Sequence, residues 1–213
     1  MLQVPAILRL FYKDAVWRLN PNEKVIYLTF DDGPNPVVTP QVLSLLEDYG
    51  VKATFFCIGD NVRKYPELFD ELSIKGHAIG NHTFNHLRGF DTPTNEYVEN
   101  VLKADSLIGS RLFRPPHGRI KLGQFRILKK EFKVIMWDII SYDYNKKISP
   151  ETIMREIRLK SRNGSIVVFH DSLKAEKNVL AVLPQALKFW HDSGYELRTI
   201  TEDVIGANAG KHL

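Results

Sequence analysis

Hydrophobic positions along the chain fall into short unbroken runs separated by stretches with helical spacing. The runs 25–30 and 51–58 are continuous and rich in β-branched and aromatic residues, which predicts strands buried on both faces. Between them Val42, Leu45, Leu46 and Tyr49 predict a helix over 39–49 that stops at Gly50. The same alternation continues. Helices are predicted over 61–75, 94–108 (with Thr94 as N-cap), 120–131, 150–161 and 179–192. Strands are predicted over 77–80, 132–137, 165–169 and 195–200. Ser149-Pro150 reads as an N-cap followed by a first-turn proline. About seven strand–helix alternations imply an α/β fold with parallel strands; an open doubly wound sheet and a closed barrel both fit.

At 213 residues, with 44% apolar and 25% charged positions, the chain suits one large domain. The expected layout is an N-terminal extension packed on the domain (1–24), a catalytic domain (25–205) and a C-terminal tail (206–213). Cys57 is the only cysteine, so no internal disulfide forms. Lys plus Arg number 29 against 25 acids, a net charge of +4 scattered along the sequence, which argues against a nucleic-acid partner. No run reaches the length of a membrane span. The apolar patch 4–8 precedes Arg9, Lys13 and Arg18, the wrong order for a secretory signal. The chain is therefore expected to be cytoplasmic, already processed, or exported by another route. Residues 1–19 are read as a helix packed on the domain, or one lying on a membrane surface.

Polar residues of chemical interest gather where predicted strands end. Asp31-Asp32 precedes Gly33-Pro34; two adjacent carboxylates can share a site only where the strand breaks, and this dipeptide supplies the break. Taken singly, the pair is also explained as a turn that caps its own backbone. His82 and His86 are four apart and can lie on one side of a helical turn, as metal-binding pairs do. In Arg114-Pro115-Pro116-His117-Gly118 the prolines fix the backbone, and Arg114 can pair with a buried carboxylate. The segment 137–144 offers two acids and several aromatics. His170, just past an apolar run, is a candidate for proton transfer.

Together, Asp32, His82 and His86 supply one oxygen and two nitrogens, the three-ligand pattern of catalytic zinc. Such a set also accepts cobalt, nickel, iron or manganese. Asp31 is then left as a free carboxylate, the natural general base.

These motifs resemble the polysaccharide deacetylases, carbohydrate esterase family four. Thr29–Pro34, the His-Thr-x-x-His pair and the Arg-Pro-Pro-x-Gly loop occur in the family's order, and the likeness runs from about 25 to 200. The resemblance implies a single-domain, distorted, incomplete (β/α) barrel of seven strands. It implies Asp31 as base, held charged by Arg114, and Asp32, His82 and His86 as ligands of one divalent ion, zinc foremost. It implies His170 as general acid oriented by Asp143. The loop of Pro116 and His117 would bind the oxyanion through the His117 amide, and Val168 and Tyr144 would line the acetyl pocket and groove. His117 stands where the family usually has tyrosine or another aromatic, Ile140 where many members have an acid, and Tyr144 where many have tryptophan. The implied activity is removal of N-acetyl groups from N-acetylglucosamine-containing glycans of chitooligosaccharide or peptidoglycan type. An acetylxylan-type esterase, or a catalytically silent glycan-binding protein on the same scaffold, stands as the alternative.

Overall fold

A computed structural model describes residues 10–209. Seven strands lie side by side in the order β5-β4-β3-β2-β1-β7-β6, and every pairing is parallel. They are β1 (Val25–Asp31), β2 (Thr54–Cys57), β3 (Ala78–Asn81), β4 (Leu112–Phe113), β5 (Lys133–Val134), β6 (Ile139–Ile140) and β7 (Ser165–His170). A short β8 (Glu196–Leu197) joins the N-terminal end of β1. The helices are α1 (Thr39–Asp48), α2 (Gly59–Lys64), α3 (Pro66–Ile74), α4 (Thr94–Ile108), α5 (Leu122–Leu128), α6 (Pro150–Lys160), α7 (Glu176–Asp192) and α8 (Glu202–Ala209).

The two edge strands, β5 and β6, are consecutive in the chain and separated only by residues 135–138. So short a link forces the sheet to curl until its edges approach. The gap is bridged by the N-terminal segment: Val16 pairs with Ile135, and Arg18 pairs with Ser165 of β7. Ala15, Trp17 and Leu19 are buried there. The result is an incomplete barrel, as expected.

Residue alternation along β1 divides the core. Ile26, Leu28 and Phe30 face the helices and pack with Val167, Phe169 and the buried faces of α1, α6 and α7. Tyr27 faces the interior with Phe56, Phe113, Ile166 and Val168. Thr29 and Asp31 belong to that interior face, two and four residues on from Tyr27.

Three local expectations need correction. The helix predicted over 61–75 is two helices, because Tyr65 precedes Pro66 and is pushed out of helical geometry (φ −131°, ψ 57°). Thr94 is the first helical residue, not the cap; Pro93 holds the N-cap position. The strand predicted over 132–137 shortens to β5, since Met136 donates to Val16 O instead of continuing the ladder, and β6 starts only at Ile139. Residues 1–9, with the apolar patch 4–8, and residues 210–213 of the tail lie outside the described residues.

Candidate active site

The C-terminal ends of β1 and β7 meet in register, with Asp31 opposite His170. Beneath them the Arg114 side chain fills the barrel centre with no exposed surface. Its Nη1 donates to Asp31 Oδ1 at 2.6 Å and to Thr29 Oγ1 at 2.8 Å. Its Nε and Nη2 donate to the carbonyls of Ile135 and Met136, both at 3.2 Å. The guanidinium also lies 4.0 Å from the centre of the Phe56 ring. That ring occupies the space a side chain at residue 80 would need, since a Cβ on Gly80 would come within 2.4 Å of it. Burial pushes the guanidinium pKa down and Asp31 opposes it; the cation persists because an arginine starts so high. Asp31 is thus fixed in position by a charge-assisted hydrogen bond.

One residue on, the strand breaks as the sequence requires. Asp32 takes φ 81°, which turns its side chain away from that of Asp31. Asn61 Nδ2 donates to Asp32 O at 2.8 Å and holds the turn. Gly33 lies against Asp171; a Cβ there would sit 2.0 Å from Asp171 Oδ2. That same Oδ2 accepts from Thr39 Oγ1 at 2.6 Å, and burial pushes the Asp171 carboxyl up to about 7. Asp171 is a structural acid under the turn whose part was not visible in the sequence, where it reads only as the neighbour of His170.

His82 and His86 do not share a helical turn, as their spacing had suggested. They sit on a loop after β3, with Thr83 and His86 both in the left-handed region (φ 67° and 59°). The loop is tied down by side chains: Asn81 Oδ1 accepts from Thr83 N, and Thr83 Oγ1 accepts from Leu87 N. It brings His86 Nε2 to 3.2 Å and His82 Nε2 to 3.7 Å from Asp32 Oδ1. One ligand atom from each of the three residues lies within 4.8 Å of the others.

This triad fits a metal ion by its donor chemistry. Asp32 Oδ1 is buried and has no hydrogen-bond partner. His82 Nδ1 lies 2.8 Å from Arg114 O, a group that only accepts, so Nδ1 carries the proton and Nε2 keeps its lone pair toward Asp32. Burial pushes His82 down to about 4, so the ring is neutral. Burial disfavours an ionised Asp32, but His86, His170 and His82 outweigh it and hold the carboxyl well below the usual range. A carboxylate with two imidazole nitrogens turned toward it is an N₂O set for a divalent ion.

Across the site, His170 Nδ1 lies 2.7 Å from Asp143 Oδ1, and its backbone N–H donates to Asp143 Oδ2 at 2.8 Å. Burial alone lowers the imidazole pKa; the Asp143 charge and hydrogen bond, with Asp32 and Asp31, reverse this and push it up to about 9. The Tyr144 ring meets His170 edge-on, centroids 4.8 Å apart, and burial pushes its hydroxyl up to about 12. The second acid of segment 137–144, Asp138, is turned away and paired with Arg162.

His117 takes φ 58°, and its ring packs on His86 at 4.7 Å. Among the described residues its backbone N–H donates to no backbone or side-chain acceptor, while the amides of Gly118 and Arg119 are used by Pro115 and Pro116.

These groups open into a cavity of about 400 Å³ walled by Trp137, Ile140, Tyr142 and Tyr144. Val168, expected to line the acetyl pocket, is not among the residues that line this cavity. Val168 is fully buried, one inward position beneath His170, and packs in the interior core. Pro116 is also buried and shapes the loop without reaching the cavity. Conversely, Arg88, Arg119 and Lys174 line the rim, and no sequence motif marks them. Arg119 directly follows the Arg-Pro-Pro-His-Gly loop and Lys174 follows His170 by four, so adjacency to motifs was the available signal. An apolar cavity of about 440 Å³, reaching in to Trp17, Phe125 and Met136, shares Trp137 and Tyr142 as its wall with the polar one.

The arrangement can do hydrolysis: an acid fixed by a buried arginine, a donor set beside it that could hold a divalent ion, and an imidazolium opposite. Comparison with known proteins agrees. Residues 18–130 match the family model described as polysaccharide deacetylase. The chain is 36% identical over 196 residues to a peptidoglycan-N-acetylglucosamine deacetylase of Bacillus cereus, covering 88% of this chain and 92% of that one. It is 34% identical over 164 residues to a chitooligosaccharide deacetylase of Azorhizobium caulinodans, covering 72% and 77%. The crystal structure of the Bc1960 peptidoglycan N-acetylglucosamine deacetylase superposes with a TM-score of 0.84 at 28% identity, over 91% of this chain and 94% of that one. A shared barrel, shared motifs and matches of this extent mean that the chain belongs to the polysaccharide deacetylase family.

Proposed function

We propose that this protein hydrolyses the acetamide of N-acetylglucosamine units in a poly- or oligosaccharide, releasing acetate and leaving a free amine. The observation that carries this reading is the division of labour between two adjacent aspartates. Asp31 is bound to Arg114, and Asp32 faces two imidazoles. Like carboxylates this close repel unless separate cations take them, and here one is an arginine and the other is supplied from solution.

Asp32, His82 and His86 would hold one divalent ion, zinc foremost and cobalt or nickel by the same donor set. When bound, it supplies Lewis acidity toward a carbonyl and toward water. The remaining chemistry is done by side chains of this chain. Asp31, held by Arg114, takes a proton from the attacking water as its oxygen bonds to the acetyl carbon. The free amide of His117 donates to the oxyanion that forms. His170, kept protonated by Asp143, gives its proton to the departing nitrogen as the carbon–nitrogen bond breaks. Trp137, Tyr142 and Tyr144 supply flat faces for sugar rings along the cavity.

Each acid–base group is expected to contribute about a hundredfold or more. The test is acetate release by metal-loaded protein from acetylated chitooligosaccharides, peptidoglycan fragments and acetylxylan, side by side. The reading predicts turnover of the first two, abolished in Asp31→Ala and His82→Ala. Release from acetylxylan alone would make the protein an O-esterase, and no release from any would make it a binding protein.

A further inference from the structure

The rim of the catalytic cavity carries three cations that the chemistry above does not use: Arg88, Arg119 and Lys174. All three are exposed. Elsewhere on the surface, Arg63, Arg162 and Arg198 pair with acids. Among the described residues, Arg88, Arg119 and Lys174 pair with no carboxylate. The only acids in the same cavity, Asp31 and Asp32, are committed to Arg114 and the histidines.

Two of these cations are held by a built joint. Gly89 N donates to Arg119 O at 3.2 Å, which locks the residue after Arg88 to Arg119 itself. A Cβ at Gly89 would come within 2.5 Å of that oxygen, so the approach requires glycine. Gln124, fully buried, clamps the joint from below: its Nε2 donates to Gly89 O and Thr92 O at 2.9 and 3.1 Å, and its Oε1 accepts from Lys121 N at 2.9 Å. Arg88 Nε lies 3.4 Å from His117 Nε2, beside the metal-ligand set.

On the His170 side the positive surface continues. Lys174 also lines a second cavity of about 460 Å³ with Lys146, Lys147 and Lys177, against a single acid, Glu176. Lysines scattered over 146–177 in sequence are therefore gathered into one cleft that adjoins the reaction cavity.

We propose that this run of cations, from Arg88 and Arg119 past the reaction site to the lysine cleft, selects an anionic glycan. Its sugars would carry carboxylate or phosphate groups on either side of the acetamido unit that is cleaved. The proposal rests on the deacetylase reading and names its substrate class. Unit charges about 4 Å apart in water attract by about 1 kcal/mol, or roughly fivefold in affinity, per cation engaged. The preference is carried by exposed groups, so salt screens it.

The experiment uses metal-loaded protein and three tetrasaccharides of N-acetylglucosamine backbone: neutral, bearing lactyl carboxylates, and bearing phosphates. Both kcat/KM and Kd are measured at low salt and at high salt. The expected result is a preference for a charged ligand of about tenfold or more at low salt. It is expressed in KM and Kd, and it shrinks at high salt. Whichever charged ligand is preferred identifies the anion. Arg119→Gln and Lys174→Gln should each lower the charged-to-neutral ratio several-fold, read as a ratio within each variant. Equal kcat/KM for neutral and charged ligands, or a preference unmoved by salt and by both variants, overturns the proposal while leaving the deacetylase reading intact. Turnover of none of the three overturns that reading, and the Kd ratio then decides the cationic run on its own. A single-stranded oligonucleotide binding as tightly as the charged glycans would show a general polyanion surface and would also overturn it.

Discussion

Replacing Asp143 by Asn tests the acid half of the mechanism with little change in shape. In the native protein Asp143 Oδ1 faces His170 Nδ1 at 2.7 Å and accepts from Tyr144 N at 3.1 Å, while Oδ2 accepts from His170 N at 2.8 Å. Two backbone donors and the ring therefore share two oxygens. An amide in that place sets one N–H group against a backbone N–H in either orientation, which costs about 1–3 kcal/mol of stability. The larger effect is on His170. Burial favours the neutral ring, and Asp143 is the main group holding it up at about 9. Without that charge the pKa returns to about 6.5 or below. A loss of roughly 2.5 pH units corresponds to about 3 kcal/mol. At pH 8 the fraction of imidazolium then falls about 30-fold, whereas at pH 6 it barely changes. The assay is kcat/KM for acetate release across pH 5.5–9.5 for both proteins, each loaded with the same metal. The alkaline limb of the variant should move down by about two pH units or more. A bound cation lowers both limbs alike, so their separation is the readout. Urea unfolding verifies that the variant is folded. A folded variant whose alkaline limb stays in place would refute the acid role of His170.

Further outcomes follow from the same geometry. Arg114→Ala leaves Asp31 as a buried, unpaired charge and should lower the unfolding free energy by about 3–5 kcal/mol in urea titrations; wild-type stability would contradict the central role given to this side chain. Gly80→Ala drives a methyl into the Phe56 ring beneath Arg114 and should cost about 1–3 kcal/mol by the same measurement. His77, remote from the site, accepts from Ala53 N at 3.1 Å and is pushed down to about 4 by burial. Its folded pKa lies below its unfolded one, so this contribution to stability is full above about pH 6.5 and is lost as pH falls toward 4. The His77→Gln variant should show a shallower decline over that window, by at most about 3 kcal/mol, in unfolding followed by circular dichroism. A chelator should stop acetate release and a divalent ion should restore it; activity that survives exhaustive chelation would remove the metal from the account.

What the sequence reveals and what it hides divide along physical lines. The long strands β1 and β7 announce themselves as continuous apolar runs because both faces are buried, and the chemistry at their ends follows from them. β6 is hidden because two residues, Ile139 and Ile140, carry no period. The closing of the barrel by Val16 and Arg18 is hidden because isolated bridges leave no pattern. His82 and His86 are legible as a pair but not as a loop: their spacing suits a helical turn, and only Asn81 and Thr83, bonding the local backbone, specify otherwise. Asp31, Asp32, Arg114, His170 and Asp143 are legible because their neighbours restrict the backbone and their chemistry requires company. The depth of Val168 is hidden because family motifs do not show it: the side chain is fully buried and lies beneath the cavity floor. The cations Arg88, Arg119 and Lys174 are hidden because charge on a loop has no period, and their grouping exists only in three dimensions.

The central claim is that Asp32, His82 and His86 grip one divalent ion while Asp31 stays off it. Diffraction from zinc-soaked crystals, recorded above and below the zinc edge, tests it most directly. The account predicts one anomalous peak about 2.0–2.2 Å from Asp32 Oδ1, His82 Nε2 and His86 Nε2, with Asp31 still bound to Arg114. Zinc located elsewhere, or coordinated by Asp31 in place of Asp32, would contradict it.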